Sequence, residues 1–281
     1  MLDVQDLSFS YVTEPILKHV GFQAQAGCVT SVIGPNGTGK TTMLLCIARL
    51  LPYSGAVFLD GTNLNLLSRQ DFASLVSFLP QDTSCSAELN VYEVILLGLV
   101  NRLSFRVAQE DTERVRSVME LLGITKFADR RITELSGGQR QLVFIAQTLV
   151  KEPKLLILDE PTSALDLNRQ FRLMDLIRRI TRERNLTTLV TLHHLDIAAK
   201  YSDRVVTLDR GGIYRVGTPE ETFTQGMFRD VFGIASQIYK DPLGGLHVIA
   251  LGDLPEENGN ESRPGGPDSN KRKGDEGQPM L

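Results

Sequence analysis

The β-branched run Val29 to Ile33 leads straight into Gly34-Pro35-Asn36-Gly37-Thr38-Gly39-Lys40-Thr41, after which Leu44, Ile47, Ala48 and Leu51 recur at helical spacing until Pro52. Strand, glycine loop and helix in that order leave few folds open. The loop fits GxxxxGK[ST] throughout, and each part has a physical reason to be there. Glycines let backbone N–H groups wrap phosphate oxygens, and the helix N-terminus favours their negative charge. Lys40 supplies a point charge to the terminal phosphates, and Thr41 offers a hydroxyl to Mg²⁺, an ion that keeps few protein ligands and several waters.

Further along, Leu155 to Leu158 and Thr187 to Leu192 are apolar runs suited to strands buried on both faces. Between them Phe171, Met174, Ile177 and Ile180 mark one side of a helix. That alternation predicts an α/β core with a parallel sheet and right-handed crossovers. Ahead of the loop, Val4, Leu7 and Phe9, then Leu17, Val20 and Phe22, read as strands of a more antiparallel region. Between Gln81 and Ser136 the texture becomes helical, with Val115, Val118, Met119 and Leu122 at helical spacing before Gly123. After Asp209 an Arg-Gly-Gly turn predicts a hairpin into Ile213 to Val216, and Thr218-Pro219-Glu220-Glu221 has the pattern of a helix start.

Length and composition bound the rest. The 281 residues can bury a substantial core, and a net charge of -4 gives no electrostatic argument for nucleic acid. The apolar stretch Val94 to Leu97 resumes after Gly98 only for Leu99 and Val100, and no uninterrupted apolar run approaches the roughly 20 residues that span a bilayer. Met1 to Ser10 lacks the pattern of a cleaved leader, and Cys28, Cys46 and Cys85 are odd in number without CxxC spacing. A cytoplasmic protein is expected. Residues 252–281, rich in glycine, proline and charge and lacking aromatics, are expected to be a disordered tail.

Two further clusters carry chemistry. Asp159 and Glu160 stand at the end of the strand Leu155 to Leu158, where an open α/β sheet places ligand-binding groups. Alone, adjacent acids at a strand end suit a solvated turn; beside a full glycine loop they suit division of labour. Asp159 would hold Mg²⁺, directly or through water, while Glu160 would polarise the water that attacks a γ-phosphate. Ser136-Gly137-Gly138-Gln139 begins a helix with Leu142, Ile145, Ala146 and Leu149 on one face. Ser136 and Gln139 form a capping box, yet capping needs no paired glycines, whereas close approach of an anion to free N–H groups does.

With these motifs, in this order, residues 1 to 250 resemble the ATP-binding cassette (ABC) family. The resemblance implies an ABC ATPase domain over residues 1–251, of the P-loop NTPase class. Its parts would be a RecA-like α/β core, an N-terminal antiparallel β region and a helical subdomain at about 86–149. It implies ATP and Mg²⁺ as cofactors. Nucleotide would be bound by Tyr11, stacked on adenine, and by Gly34, Asn36, Gly37, Thr38, Gly39, Lys40, Thr41 and Thr42. Leu135 to Gln139 matches the signature that, in this family, contacts ATP held by the opposite subunit, so Ser136, Gly137, Gly138 and Gln139 would complete a partner's site. Ser163-Ala164-Leu165-Asp166 matches the loop that crosses the dimer interface, and Gln81 the glutamine near Mg²⁺. In the triplet His193-His194-Leu195, His193 aligns with the γ-phosphate-sensing histidine, and His194 stands where an aspartate is commoner.

Overall length, the insert and the stretch Ile238 to Leu251 are most similar to the ATPases of iron-siderophore, haem and vitamin B12 importers. That resemblance implies a homodimer on two membrane permease chains at the cytoplasmic face of the membrane, served indirectly by an extracytoplasmic substrate-binding protein, with no nucleic acid. Rival readings are a soluble cassette ATPase of DNA repair or translation, a transporter with another cargo, and a regulator that has lost hydrolysis. Tandem cassettes, long heptads or a basic arm would favour the first; intact Lys40, Asp159 and Glu160 speak against the last.

Overall fold

The computed structural model describes residues 1–12, 14–83, 85–100, 107–242 and 245–253. The chain opens with β1 (Leu2–Tyr11), β2 (Glu14–Ala24) and β3 (Val29–Ile33), then α1 (Lys40–Ile47), β4 (Ser54–Leu59), β5 (Thr62–Asn63), α2 (Arg69–Leu75) and β6 (Val76–Leu79). A helical stretch follows, with α3 (Val91–Leu96), α4 (Gln109–Leu121) and α5 (Gly137–Leu149). The chain then returns through β7 (Leu155–Leu158), α6 (Leu167–Glu183), β8 (Thr187–Thr191), α7 (Leu195–Tyr201), β9 (Arg204–Asp209) and β10 (Gly212–Gly217). Two short helices, α8 (Pro219–Thr222) and α9 (Gln225–Met227), precede the hairpin β11 (Ile234–Lys240) and β12 (Leu246–Asp253).

The described residues form three sheets. β2-β1-β4-β5 is antiparallel throughout, as the spacing of Val4, Leu7, Phe9, Leu17, Val20 and Phe22 predicts. The central sheet runs β10-β9-β3-β8-β7-β6, parallel except for the β9–β10 hairpin. Every residue of β3, β7 and β8 is buried, which is why these strands read as unbroken apolar or threonine-bearing runs. Alternate side chains feed two cores: Ile157, Leu189 and Val32 pack towards α1 and the antiparallel sheet, while Leu156, Leu158 and Val190 pack towards the helical layer. Each such side chain, wholly withdrawn from water, contributes about 1.5–3 kcal/mol.

Register sets the functional edge. Val32 pairs with Thr191 and Leu158 with Val190, so β3, β8 and β7 end side by side. The Gly34 loop, the residues after Thr191 and the Asp159–Glu160 pair therefore leave the sheet together.

Some boundaries differ from the expected ones. Helix α1 ends at Ile47 and does not continue towards Leu51, because Arg49 takes a left-handed φ of 57° and donates its Nη1 to the carbonyls of Leu64 and Leu67 at 3.1 and 3.0 Å. The Thr218 start carries its full capping box, yet α8 lasts one turn. β12 runs two residues beyond the position from which a disordered tail is expected; residues 254–281 lie outside the described residues. No described helix is long and apolar enough to cross a membrane.

Candidate active site

Glycine chemistry shapes the loop between β3 and α1. Gly34 has φ 151°, and a Cβ there would lie 2.3 Å from the carbonyl oxygen of Leu208. Gly39, with φ 97°, is the N-cap of α1 and sits where a Cβ would meet Leu17. Gly37, φ 79°, faces open space. Behind the loop Thr38 is buried and donates its hydroxyl to Pro35 O at 2.9 Å. Lys40 is buried as well, its Nζ donating to the carbonyls of Gly34 and Pro35 at 2.8 and 2.9 Å. Burial pulls this ammonium below the usual lysine range, against the opposing pull of Glu160 and Asp159.

Asp159 is 1% exposed. Its Oδ1 accepts from Thr191 Oγ1 at 2.6 Å and from Thr41 Oγ1 at 3.3 Å, while Oδ2 is buried with no hydrogen-bond partner among the described residues. Desolvation raises this carboxyl, partly offset by the two hydroxyls. A lone buried carboxylate oxygen beside a threonine hydroxyl is the arrangement a hard cation fits. Among the described residues no cluster of three or more His, Cys, Asp or Glu could hold a metal unaided, so a cation here would rely on non-protein oxygens as well.

Glu160 occupies a left-handed conformation, φ 47°, uncommon for a non-glycine residue. Its backbone N–H donates to Thr191 Oγ1 at 2.8 Å, so one hydroxyl braces both acids. Gln81 Nε2 donates to Glu160 Oε2 at 2.7 Å, and His193 Nε2 lies in hydrogen-bond contact with Glu160 Oε1. His194 makes no such contact; it is the exposed N-cap of α7. Of the two adjacent histidines the structure directs His193 to the carboxylate.

Tyr11, Asn36, Gly37, Gly39, Lys40, Thr41, Thr42, Gln81, Glu160 and His193 line one cavity of about 450 Å³, joined by Ile16. Tyr11 stands half-exposed at its wall, edge-on to Phe9 with centroids 4.7 Å apart. Ile16 and the bracing Thr191 are absent from the expected set. Thr191 ends a strand that carries two further threonines, Thr187 and Thr188, so nothing local singles it out, and nothing local marks Ile16.

The second glycine turn lies elsewhere. Ser136 caps α5, with Oγ accepting from Gln139 N at 3.4 Å and Gln139 Oε1 accepting from Ser136 N at 3.0 Å. Gly138 and Gln139 line a cleft with Leu165 and Arg169 that shares no residue with the first. A Cβ on Gly138 would approach Leu165 Cδ2, a side-chain tip, to 2.7 Å and displace it, while a Cβ on Gly137 would meet Ala164 at 3.9 Å. Asp166 caps α6, its Oδ1 accepting from Arg169 N at 2.9 Å and its Oδ2 lying 3.3 Å from Arg169 Nε. Within one copy the two glycine turns serve separate clefts.

Comparison with known proteins places the chain in a family. The sequence profile described as "ABC transporter" matches residues 17–163. The chain is 34% identical over 256 residues to the iron(3+)-hydroxamate import ATP-binding protein FhuC of Bacillus subtilis, covering 90% of this chain and 95% of that protein. It is 32% identical over 248 residues to the ferric enterobactin transport ATP-binding protein FepC of Escherichia coli, covering 87% and 92%. Its fold is similar to that of the ATP-binding cassette MJ0796, solved as a dimer in a post-hydrolysis state bound to ADP and Pi, with a TM-score of 0.69, 26% identity, and coverage of 78% and 99%.

Proposed function

The chain belongs to the ABC transporter family, and from that premise we propose that it is the ATP-hydrolysing subunit of an importer for an iron-siderophore or a related iron, haem or cobalamin complex. The observation that carries the proposal is the near full-length similarity to ATP-binding proteins of iron(3+)-hydroxamate import and ferric enterobactin transport, together with Lys40, Thr41, Gln81, Glu160 and His193 around one cavity.

In this reading ATP enters between Tyr11 and the Gly34 loop. Lys40 leaves its two loop carbonyls for the β- and γ-phosphates, and free N–H groups at the start of α1 take phosphate oxygens. Thr41 and Asp159 would hold Mg²⁺, which supplies charge neutralisation on the phosphates when bound. Glu160 acts as general base on the attacking water, while Gln81 and His193 hold its two carboxylate oxygens in place. Ser136 and its neighbours serve ATP on a second copy, so the working unit is a homodimer. Each dimer would engage two permease chains at the cytoplasmic face of the membrane, with substrate delivered by an extracytoplasmic binding protein.

The test is reconstitution in vesicles with the membrane chains that copurify. Ferric hydroxamate or enterobactin, presented with its binding protein, is expected to stimulate ATP turnover and enter the vesicles. Glu160→Gln should lower turnover at least about 100-fold, the scale of lost general-base catalysis, while retaining bound ATP. Stimulation by DNA or ribosomes instead, or near-normal turnover in the variant, would overturn the reading.

A further inference from the structure

Gln170 of α6 is buried, and both hydrogens of its amide are spent in one place. Its Nε2 donates to Thr162 O at 3.2 Å and to Leu165 O at 3.0 Å, while Oε1 is buried with no hydrogen-bond partner among the described residues. The neighbours fix which way the amide points, since only its NH₂ end can face two carbonyl oxygens. A glutamate would turn oxygen onto oxygen, and a methionine, better suited to a dry site, would donate nothing. The two carbonyls belong to the turn that begins at Glu160. Within it Leu165 N donates to Thr162 O at 3.1 Å, and Ser163 donates through both N and Oγ to Glu160 O, at 3.2 and 3.0 Å. Glu160 is thereby fastened on each side, its N–H by Thr191 of β8 and its C=O by a turn that Gln170 ties to α6. A left-handed φ of 47° on a residue with a side chain persists only where the surroundings hold it from several directions.

We propose that Gln170 is a positioning residue for ATP hydrolysis, holding the turn after Glu160 so that the carboxylate stays aimed at the attacking water. This rests on the reading above, in which Glu160 is the general base. Gln81 and His193 meet the carboxylate oxygens, yet contacts at the tip of a side chain do not stop its backbone from leaving the left-handed region for a commoner one. Gln170 closes that escape by clamping the turn that receives the Glu160 carbonyl. It does not line the nucleotide cavity, so its loss falls on the rate of the chemical step and not on nucleotide affinity.

ATP turnover by the full chain, resolved into kcat and KM, tests this. Gln170→Met keeps the length of the side chain and removes both donors. It should lower kcat about tenfold, a share of the roughly 100-fold or more that a general base supplies, and leave KM for ATP and affinity for ADP within about twofold of the wild type. Gln170→Glu, with oxygen where the donors were, should lose at least as much. In the Glu160→Gln protein, whose residual turnover is followed with radiolabelled ATP, adding Gln170→Met should change the rate by less than about twofold, because the group through which Gln170 acts is already gone. A residue that only supports the fold would slow both backgrounds alike. Gln170→Asn, which shortens the reach of the amide and adds no apolar group, carries the same comparison where Gln170→Met does not fold. An unchanged kcat, a raised KM with kcat intact, or equal losses in the two backgrounds would overturn the role of Gln170 and leave that of Glu160 standing. Near-normal turnover of Glu160→Gln by itself would remove the general base, and the role of Gln170 with it.

Discussion

Gly34 and Gly37 belong to one loop and answer to different constraints. At Gly34 a methyl group would collide with the Leu208 carbonyl oxygen, a backbone atom that cannot move without disturbing β9. At Gly37 only the left-handed backbone matters, since the space around it is open. Gly34→Ala is therefore expected to cost at least about 2–3 kcal/mol and Gly37→Ala about 1 kcal/mol. Urea unfolding midpoints compare them directly, and equal shifts would refute the steric account. Glu160 shows the converse: a residue with a side chain holds a left-handed backbone because the Thr191 hydroxyl receives its N–H.

Between elements, α6 and α7 are joined by a buried tyrosine. Tyr201 of α7 is 2% exposed, and its phenol is pushed up to about 12 by burial first and by the charge and hydrogen bond of Asp175 on α6 second, against the milder pull of Arg178. The folded value exceeds the ordinary one near 10, so the stability this group contributes is whole below pH 10 and is lost as pH rises through 12. Tyr201→Phe should flatten the alkaline limb of the stability profile, removing on the order of 2 kcal/mol of the decline between pH 10 and 12. Urea melts of both proteins across that range check it; parallel limbs would place the alkaline sensitivity elsewhere.

Over the whole molecule the decisive fact is that the two glycine turns line separate clefts. Two copies paired about a two-fold axis would bring the Ser136 turn of each to the Gly34 loop of the other. Mixing a Lys40→Ala subunit with a Ser136→Ala subunit then concentrates both lesions in one composite site and leaves the second intact. About one nucleotide trapped between the copies per mixed dimer is expected, against near none for either variant alone, an arithmetic that follows from the symmetry of a two-fold pairing. Mixed dimers that bind no nucleotide would exclude sites shared between copies.

Local chemistry made much of this protein legible in its sequence. The Gly34 loop, the Ser136 cap, the strand ahead of Asp159 and the α4 stripe each depend on neighbours within a few residues, and each stands where its pattern places it. β6 was harder to read, since Val76 to Leu79 is four residues long and follows the helix α2 without a turn signal. Side-chain direction at a strand end was likewise beyond local reading: the family resemblance had pointed to His193, and the folded chain turns it, rather than His194, to Glu160. Strand order and register also came only from tertiary packing. They set Thr191 between Asp159 and the Glu160 N–H, and brought Gln81 to Glu160, because those contacts join segments 31 to 79 residues apart that no local propensity can align.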